Sequence, residues 1–214
     1  MKRSVAFWFS RAAASFFLYA SLFLAISVAA SPLPQAAAPL SANELLLALD
    51  PDKSEFHWTL DTTLHTVHGN FKFKSGELRL NPASGAASGE ILVPATSAES
   101  GNEGRNKKMH KDVLESAKFQ EILFVVDRVE GKVAPSGPSN VMLHGTMKLH
   151  GADHEFGAPV QAEITGDHWK ATSKFTIPFL KWGLKNPSTW LLKVKPDVDV
   201  ELTLTGTVKP VPSP

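Results

Sequence analysis

Phe56-His57-Trp58-Thr59-Leu60-Asp61, followed by Val67-His68-Gly69-Asn70-Phe71-Lys72-Phe73-Lys74, is the stretch that decides the fold. In both runs apolar or small residues fall on every second position and polar residues on the others, which is the pattern of a strand with one buried face. The same period returns at Ile122, Phe124 and Val126, and at Val141, Leu143, Gly145, Met147 and Leu149. It returns again at Val160, Ala162 and Ile164, at Trp169, Ala171, Ser173, Phe175 and Ile177, and at Val198, Val200, Leu202 and Leu204. Turn signals separate the runs: Lys74-Ser75-Gly76, Asn81-Pro82, the stretch 135–140, His150-Gly151-Ala152-Asp153 and Thr165-Gly166-Asp167. About eight strands at short spacing predict an all-β, antiparallel barrel or sandwich and not a parallel sheet with crossover helices.

One segment breaks the period. From Glu103 to Ser116, Met109 and Val113 lie four apart, with Ala117 four further on, while Arg105, Lys107, Lys108, Lys111 and Asp112 can face water. This predicts an inserted amphipathic helix, either covering apolar surface or acting as a lid. Ser100 and Glu103 have the spacing of a capping box.

The N-terminus predicts export. Lys2 and Arg3 precede an uncharged run from Ala12 to Ala30, which ends in the small residues Val28-Ala29-Ala30 of a signal-peptidase site. Residues 1–30 are therefore expected to be a signal peptide (an uncleaved anchor is the alternative), 31–44 a Pro/Ala-rich linker and 45–210 a single domain in the periplasm or outside the cell. Loss of 1–30 removes Lys2, Arg3 and Arg11 and no acid, taking the net charge from +1 to −2. A nucleic-acid partner is not expected of such a domain, because that binding needs Lys and Arg in excess. The chain has no cysteine, which excludes disulfides, thiolate catalysis and thiolate metal sites.

The pattern from Phe56 through His65, Val67, Gly69 and Phe71, the block Arg105-Asn106-Lys107-Lys108-Met109-His110-Lys111-Asp112-Val113-Leu114-Glu115-Ser116, the run 119–124 and Val141-Met142-Leu143-His144-Gly145 together resemble the YceI-like family. Ile177-Pro178-Phe179 and Trp182-Gly183-Leu184 fit as well, so the resemblance runs over about residues 48–208. It implies a lipocalin-like barrel of eight antiparallel strands around an elongated apolar cavity, which in family members takes isoprenoid chains such as quinone tails or polyprenols. Two positions depart from the family pattern: Asn106, where Asp is frequent, and Gln120, where Pro is usual.

The expected cavity lining is Phe56, Trp58, Val67, Phe71, Phe73, Met109, Val113, Leu143, Met147, Trp169, Phe175, Trp182 and Leu202, with an ordinary packed core as the competing reading. Gly69 and Gly145, at inward parity, either leave space for a ligand or let the wall bend. No catalytic residue is expected: there is no Gly-x-Ser-x-Gly elbow and no phosphate loop, and Asp197, Asp199 and Glu201 alternate along an outer face. No metal is expected either, although His57, His68 and His144 share the outward parity and would form a surface site if their strands were neighbours. No cofactor is expected beyond a bound isoprenoid lipid. The loop from Lys181 to Trp190 reads as a plug at the barrel end or as a portal where Trp182 and Trp190 meet a membrane. The leading function is an exported, non-enzymatic lipid carrier with an apolar small-molecule partner, transient membrane contact and a homodimer among its expected interactions. The alternative is a structural or stress-related interaction module with a solid barrel.

Overall fold

The computed structural model describes residues 44–210; the expected leader and nearly all of the linker lie outside them. Ten strands build the domain: β1 Leu45–Leu49, β2 Glu55–Asp61, β3 Thr66–Phe71, β4 Ser75–Leu80, β5 Ala86–Pro94, β6 Glu121–Glu130, β7 Gly137–Leu149, β8 Ala152–Thr165, β9 His168–Ile177 and β10 Val198–Pro210. They form one antiparallel sheet in the order β1-β4-β5-β6-β7-β8-β9-β10-β2-β3, and β1 also pairs with β10, so the sheet closes on itself.

The ten strands make eight staves, as expected. β10 pairs β1 through Gly206–Pro210 and β2 through Asp199–Thr203, so β1 and β2 are the two halves of one stave. Between them Pro51–Lys53 form a 3₁₀ turn. This jog is tied back to β10, because the Asp50 amide donates to the Thr205 carbonyl at 2.8 Å and the Thr205 amide donates to Ser54 Oγ at 3.1 Å. β3 and β4 are likewise halves of the next stave, pairing β2 and β1 respectively. Closure through β1 and β10 removes most of the sheet edge, and that of β3 is met only at Asn70, by the segment after β5.

Only β4 pairs with β5. Where β3 would continue that ladder, the segment after β5 takes over: the Asn70 amide donates to the Glu99 carbonyl at 2.8 Å and the Glu99 amide returns the bond at 2.9 Å. The chain then crosses one end of the barrel as α1, Glu103–Lys108, continued by a π-helical turn, Met109–Val113. The expected helix is thus present but changes its winding midway. Its cap is Asn102, whose Oδ1 accepts from the Arg105 amide at 2.9 Å, and not the Ser100–Glu103 box. Glu103 pairs with Lys107 at 2.7 Å, one turn on.

Ser100 has a different task. It is buried, and its hydroxyl and amide both donate to Asn106 Oδ1, while Arg105 Nε donates to its hydroxyl at 2.9 Å. Asn106 Nδ2 in turn donates to Glu99 Oε1, which also accepts the amides of Ser100 at 2.9 Å and Gly101 at 2.7 Å. These bonds hold the Glu99 carboxyl below its usual range, the Asn106 amide contributing most. Asn106 therefore fits this chain as Asp would not, since a carboxylate there would have no proton for Glu99. At the other departure, the Gln120 carbonyl accepts from the Ala95 amide at 2.8 Å and fixes the entry to β6 without a proline.

Candidate functional site

The barrel is hollow. A cavity of about 550 Å³ lies within it, inside the range of about 300–1,000 Å³ usual for small-molecule sites. A solid barrel is therefore not what the structure has. Val198, Val200, Leu202 and Leu204 of β10 all face it, so at the rise of a strand it runs for roughly 20 Å along the wall.

Two apolar clusters bound this space. At the closed end, Phe73, Val93, Ile164, Trp169, Leu204 and Val208 pack with Leu45, Leu47 and Leu49 of β1. At the other end, Leu114, Ile177, Phe179, Leu184 and Val200 pack with Met109 and Val113 of the π turn. The wider π winding matters here, because Met109, Val113 and Leu114 all reach the cavity. His110 points away and anchors the turn. Its Nε2 lies 3.0 Å from the Ala98 carbonyl, which can only accept, so Nε2 donates and Nδ1 accepts from the Ser116 hydroxyl at 3.0 Å.

Phe56, Trp58, Val67, Phe71, Phe73, Met109, Val113, Leu143, Met147, Phe175 and Leu202 line the cavity. Trp169 and Trp182, also expected there, do not. The Trp169 ring, 6% exposed, is inward but belongs to the floor beneath the cavity, where Nε1 donates to the Ala48 carbonyl at 3.3 Å. The Trp182 ring stacks on His154 at 4.3 Å with a 2° interplanar angle and meets Phe156 edge-on, behind the wall that Phe156 provides. Leu60, Phe156, Ala158, Val200 and Leu204 line the cavity and were not among the lining residues expected from the sequence; Leu114, which the sequence offered with Met109 and Val113 as closing one end or only packing the helix down, lines it too. Phe156 and Ala158 were within reach, being the continuation of the Val160 parity towards the N-terminus of β8.

Neither inward glycine leaves room for a ligand. A Cβ on Gly69 would stand 2.2 Å from Trp58 Cζ2, so the absent side chain lets the indole lie flat on β3. A Cβ on Gly145 would stand 2.1 Å from the Val125 carbonyl oxygen, where β6 approaches β7 next to a bulge at Asp127. Trp58 is 7% exposed, and its Nε1–H is a buried donor without a hydrogen-bond partner, a polar point in an otherwise apolar stretch of wall.

The polar groups of the lining gather at the mouth. Thr62 and His65 of the β2–β3 turn, Arg105 and Lys108 of α1 and Thr189 of the β9–β10 loop ring the entrance, and no Asp or Glu is among the lining residues. Lys108 Nζ donates to the Pro187 carbonyl at 3.3 Å, a tie between α1 and that loop. Inside, besides the Trp58 indole N–H, the polar side chain is Ser173, whose hydroxyl donates to the Pro159 carbonyl at 2.7 Å instead of facing a base.

The three outward histidines do not come together: His57 and His68 lie on the paired strands β2 and β3, and His144 is remote from both. His144 lies on β7, four places from β2 in the sheet order, and bonds Glu130 at 3.0 Å. His57 sits opposite Asn70, and His68 bonds Thr59 Oγ1 at 3.1 Å. Among the described residues no cluster of three or more His, Asp or Glu has metal-binding geometry.

No curated protein matches the sequence. Among solved structures, BcnA of Burkholderia cenocepacia shares 18% identity over 74% of this chain and 99% of its own, with a TM-score of 0.62. A polyisoprenoid binding domain from Saccharophagus degradans shares 13% identity over 79% of this chain and 100% of its own, at 0.56. The YceI protein of Campylobacter jejuni shares 17% identity over 67% of this chain and 85% of its own, at 0.53. At these identities the likeness establishes the fold. The model of the YceI-like domain matches residues 47–206, nearly the whole described barrel, and the chain belongs to that family.

Proposed function

We propose that this chain is an exported, non-enzymatic carrier that holds an isoprenoid-type lipid, a quinone or polyprenol tail, along the barrel axis. The observation that carries the reading is a long cavity walled by aromatic and aliphatic side chains whose charged and most of whose polar groups lie at one end. Such a site suits an apolar chain with its head at the entrance. Burial of each methylene gives about 0.8 kcal/mol, so a five-carbon unit gives roughly 4 kcal/mol before ordering costs, and a few units suffice for tight binding without directional contacts. The polyisoprenoid binding domain of Saccharophagus degradans, which shares the fold, supports the same ligand class. Binding fits the lining better than catalysis does, because Ser173 has no base beside it and no carboxylate faces the space.

Mass spectrometry of an organic extract of the purified protein, followed by uptake of a ubiquinone and a polyprenol by the emptied protein, tests the reading. Ala158 lines the wall and is buried, so Ala158→Trp would fill the cavity without adding charge. Uptake by the parent chain and its loss in Ala158→Trp are expected. An extract without apolar ligand, together with no uptake of either compound, rules the carrier out. Intact-mass analysis of the exported protein checks the leader: cleavage after Ala30 is expected.

A further inference from the structure

All three large hydrophobic side chains that stand exposed among the described residues sit on two neighbouring turns at the cavity mouth: Leu64 at 70%, Trp190 at 84% and Leu191 at 64%. Scattered apolar residues are ordinary on a protein surface, but their collection at one point is not. The two turns are built to present them. In the first, the Thr62 amide donates to the His65 carbonyl at 3.1 Å and Thr62 Oγ1 accepts the amides of Leu64 and His65, leaving Leu64 at the tip. In the second, the Thr189 amide donates to the Leu192 carbonyl at 2.8 Å and Thr189 Oγ1 accepts the Leu192 amide, leaving Trp190 and Leu191 at the tip.

The turns are also joined. Thr62 bridges Val194, the Thr63 amide donates to the Lys193 carbonyl at 2.9 Å, and the Lys193 amide donates to Thr63 Oγ1 at 3.2 Å. Thr62, His65, Thr189, Leu192 and Val194, which flank the exposed side chains, line the cavity. Whatever covers the tips therefore covers the entrance.

Charge sets this end apart from the rest. The segments 61–67, 103–113 and 181–197 hold eight Lys and Arg against four Asp and Glu. Two of those acids are taken, Asp61 by Lys195 and Glu103 by Lys107, both at 2.7 Å. Beyond residue 30 the remainder of the chain carries eleven basic against seventeen acidic side chains. A basic collar around three apolar tips, on an otherwise acidic domain, is the complement of an anionic bilayer surface: aromatic and aliphatic groups enter the interface while Lys and Arg meet the headgroups.

We propose that the mouth is a membrane-docking face, in which Leu64, Trp190 and Leu191 insert into an anionic lipid surface and set the cavity entrance against it. This deepens the carrier reading and rests on it for its purpose. A lipid passing between bilayer and barrel would then not cross water.

Co-sedimentation with phosphatidylcholine vesicles, with and without phosphatidylglycerol, tests it on the exported protein. The anionic lipid is expected to raise partitioning by about tenfold, and added salt to lower it. Leu64→Ser/Trp190→Ser/Leu191→Ser should abolish binding, and Lys185→Glu/Lys193→Glu should remove the preference for phosphatidylglycerol. Both variants should still take up ubiquinone from detergent solution, since none of these side chains lines the cavity. Vesicle binding that survives the triple substitution overturns the proposal. So does a parent chain that loads ubiquinone but ignores both kinds of vesicle, and there the carrier reading stands. Failure to load ubiquinone or polyprenol at all removes both readings. A dimer in solution that the triple substitution disperses, without vesicle binding, overturns the proposal and assigns the tips to a second copy.

Discussion

The two ends of the barrel are held by different physics. At the floor, β1 pairs with β10 on one side and β4 on the other, and Phe73, Ile164, Trp169, Leu204 and Val208 fill the space between the staves. At the mouth, a helix of six residues, a π turn and two tight turns lie over the apolar cluster around Leu114, Phe179 and Leu184 and are tied to one another by hydrogen bonds, most of them between exposed groups: Asp61 to Lys195, Thr63 to Lys193 and Lys108 to Pro187, with the part-buried Glu99–Asn106–Ser100 group beside them. Apolar packing and continuous ladders fail as a unit, whereas exposed polar ties open locally. The carrier proposed above would use this division, with one end that stays shut and one that opens to a ligand. Substitutions at the floor should therefore change global stability, and changes of charge or pH should act at the mouth.

The strongest break in that comparison is Trp169→Ala. Removing a buried indole from the floor leaves a cavity under the ligand site and frees the Ala48 carbonyl of its donor, so a loss of about 3–5 kcal/mol is expected in urea unfolding. Trp169→Phe should lose less, and neither should alter vesicle binding per folded molecule.

Gly69→Ala acts on the wall nearer the mouth. The new Cβ would meet Trp58 Cζ2 at 2.2 Å and the Glu99 carbonyl oxygen at 2.3 Å, so the indole must leave β3 and the Asn70–Glu99 bridge must open. Overpacking of this kind costs about 1–3 kcal/mol. Hydrogen exchange should show the amides of Asn70 and Glu99 losing protection first, and the ladder between β1 and β10 should keep its own.

Asn106→Asp sharpens the contrast by charge alone. It replaces the amide that donates to Glu99 with a second carboxylate, so the melting temperature should fall at neutral pH and recover as the pair takes up a proton in acid. Asn106→Ala should lower it without the recovery.

The same division explains what could be read from the sequence. β2, β3 and β6 to β10 declare themselves because one face meets water; that alternation placed nine expected side chains on the cavity wall, and the four-residue spacing of the inserted helix placed two more, Met109 and Val113. β1 was opaque: Leu45-Leu46-Leu47-Ala48-Leu49 has no polar partner positions, and every one of its residues is partly buried. β5 was opaque too, since Ala86, Ala87, Ser88 and Gly89 carry little contrast. Trp169 and Trp182 show the limit of parity as a guide. Parity gives the face of a strand but not the height along the barrel, so it could not separate the floor from the cavity, and for a loop residue such as Trp182 it gives nothing. The π turn and the Asn102 cap depend on contacts with Ala98 and Ser116 that no local pattern encodes.

The smallest expected effect lies in the tie between the two mouth turns. Asp61 Oδ2 accepts from Lys195 Nζ at 2.7 Å, its Oδ1 accepts from Thr66 Oγ1 at 2.8 Å, and its backbone carbonyl accepts the Lys195 amide at 2.9 Å. The lysine ammonium, first, and the threonine hydroxyl hold the Asp61 carboxyl below its usual value, while Lys195 is raised above its own by the same partner. A carboxyl depressed on folding stabilises the folded state above its unfolded pKa, and that contribution is lost as pH falls through the lower, folded value. A lysine raised on folding works in the opposite direction: its contribution is present below its unfolded pKa and lost as pH rises through the higher, folded one. The tie is thus intact across the neutral range and weakens at both extremes, by little, because both groups are exposed and screened. Amide exchange at Thr63 and Lys193 should accelerate beyond the intrinsic rate on acidification below the ordinary carboxylate range, and Asp61→Asn should remove that dependence while leaving the floor's protection unchanged. Equal acceleration at the mouth and along β10 beside β1 would show that the two ends open together, and the division of labour between them would be lost.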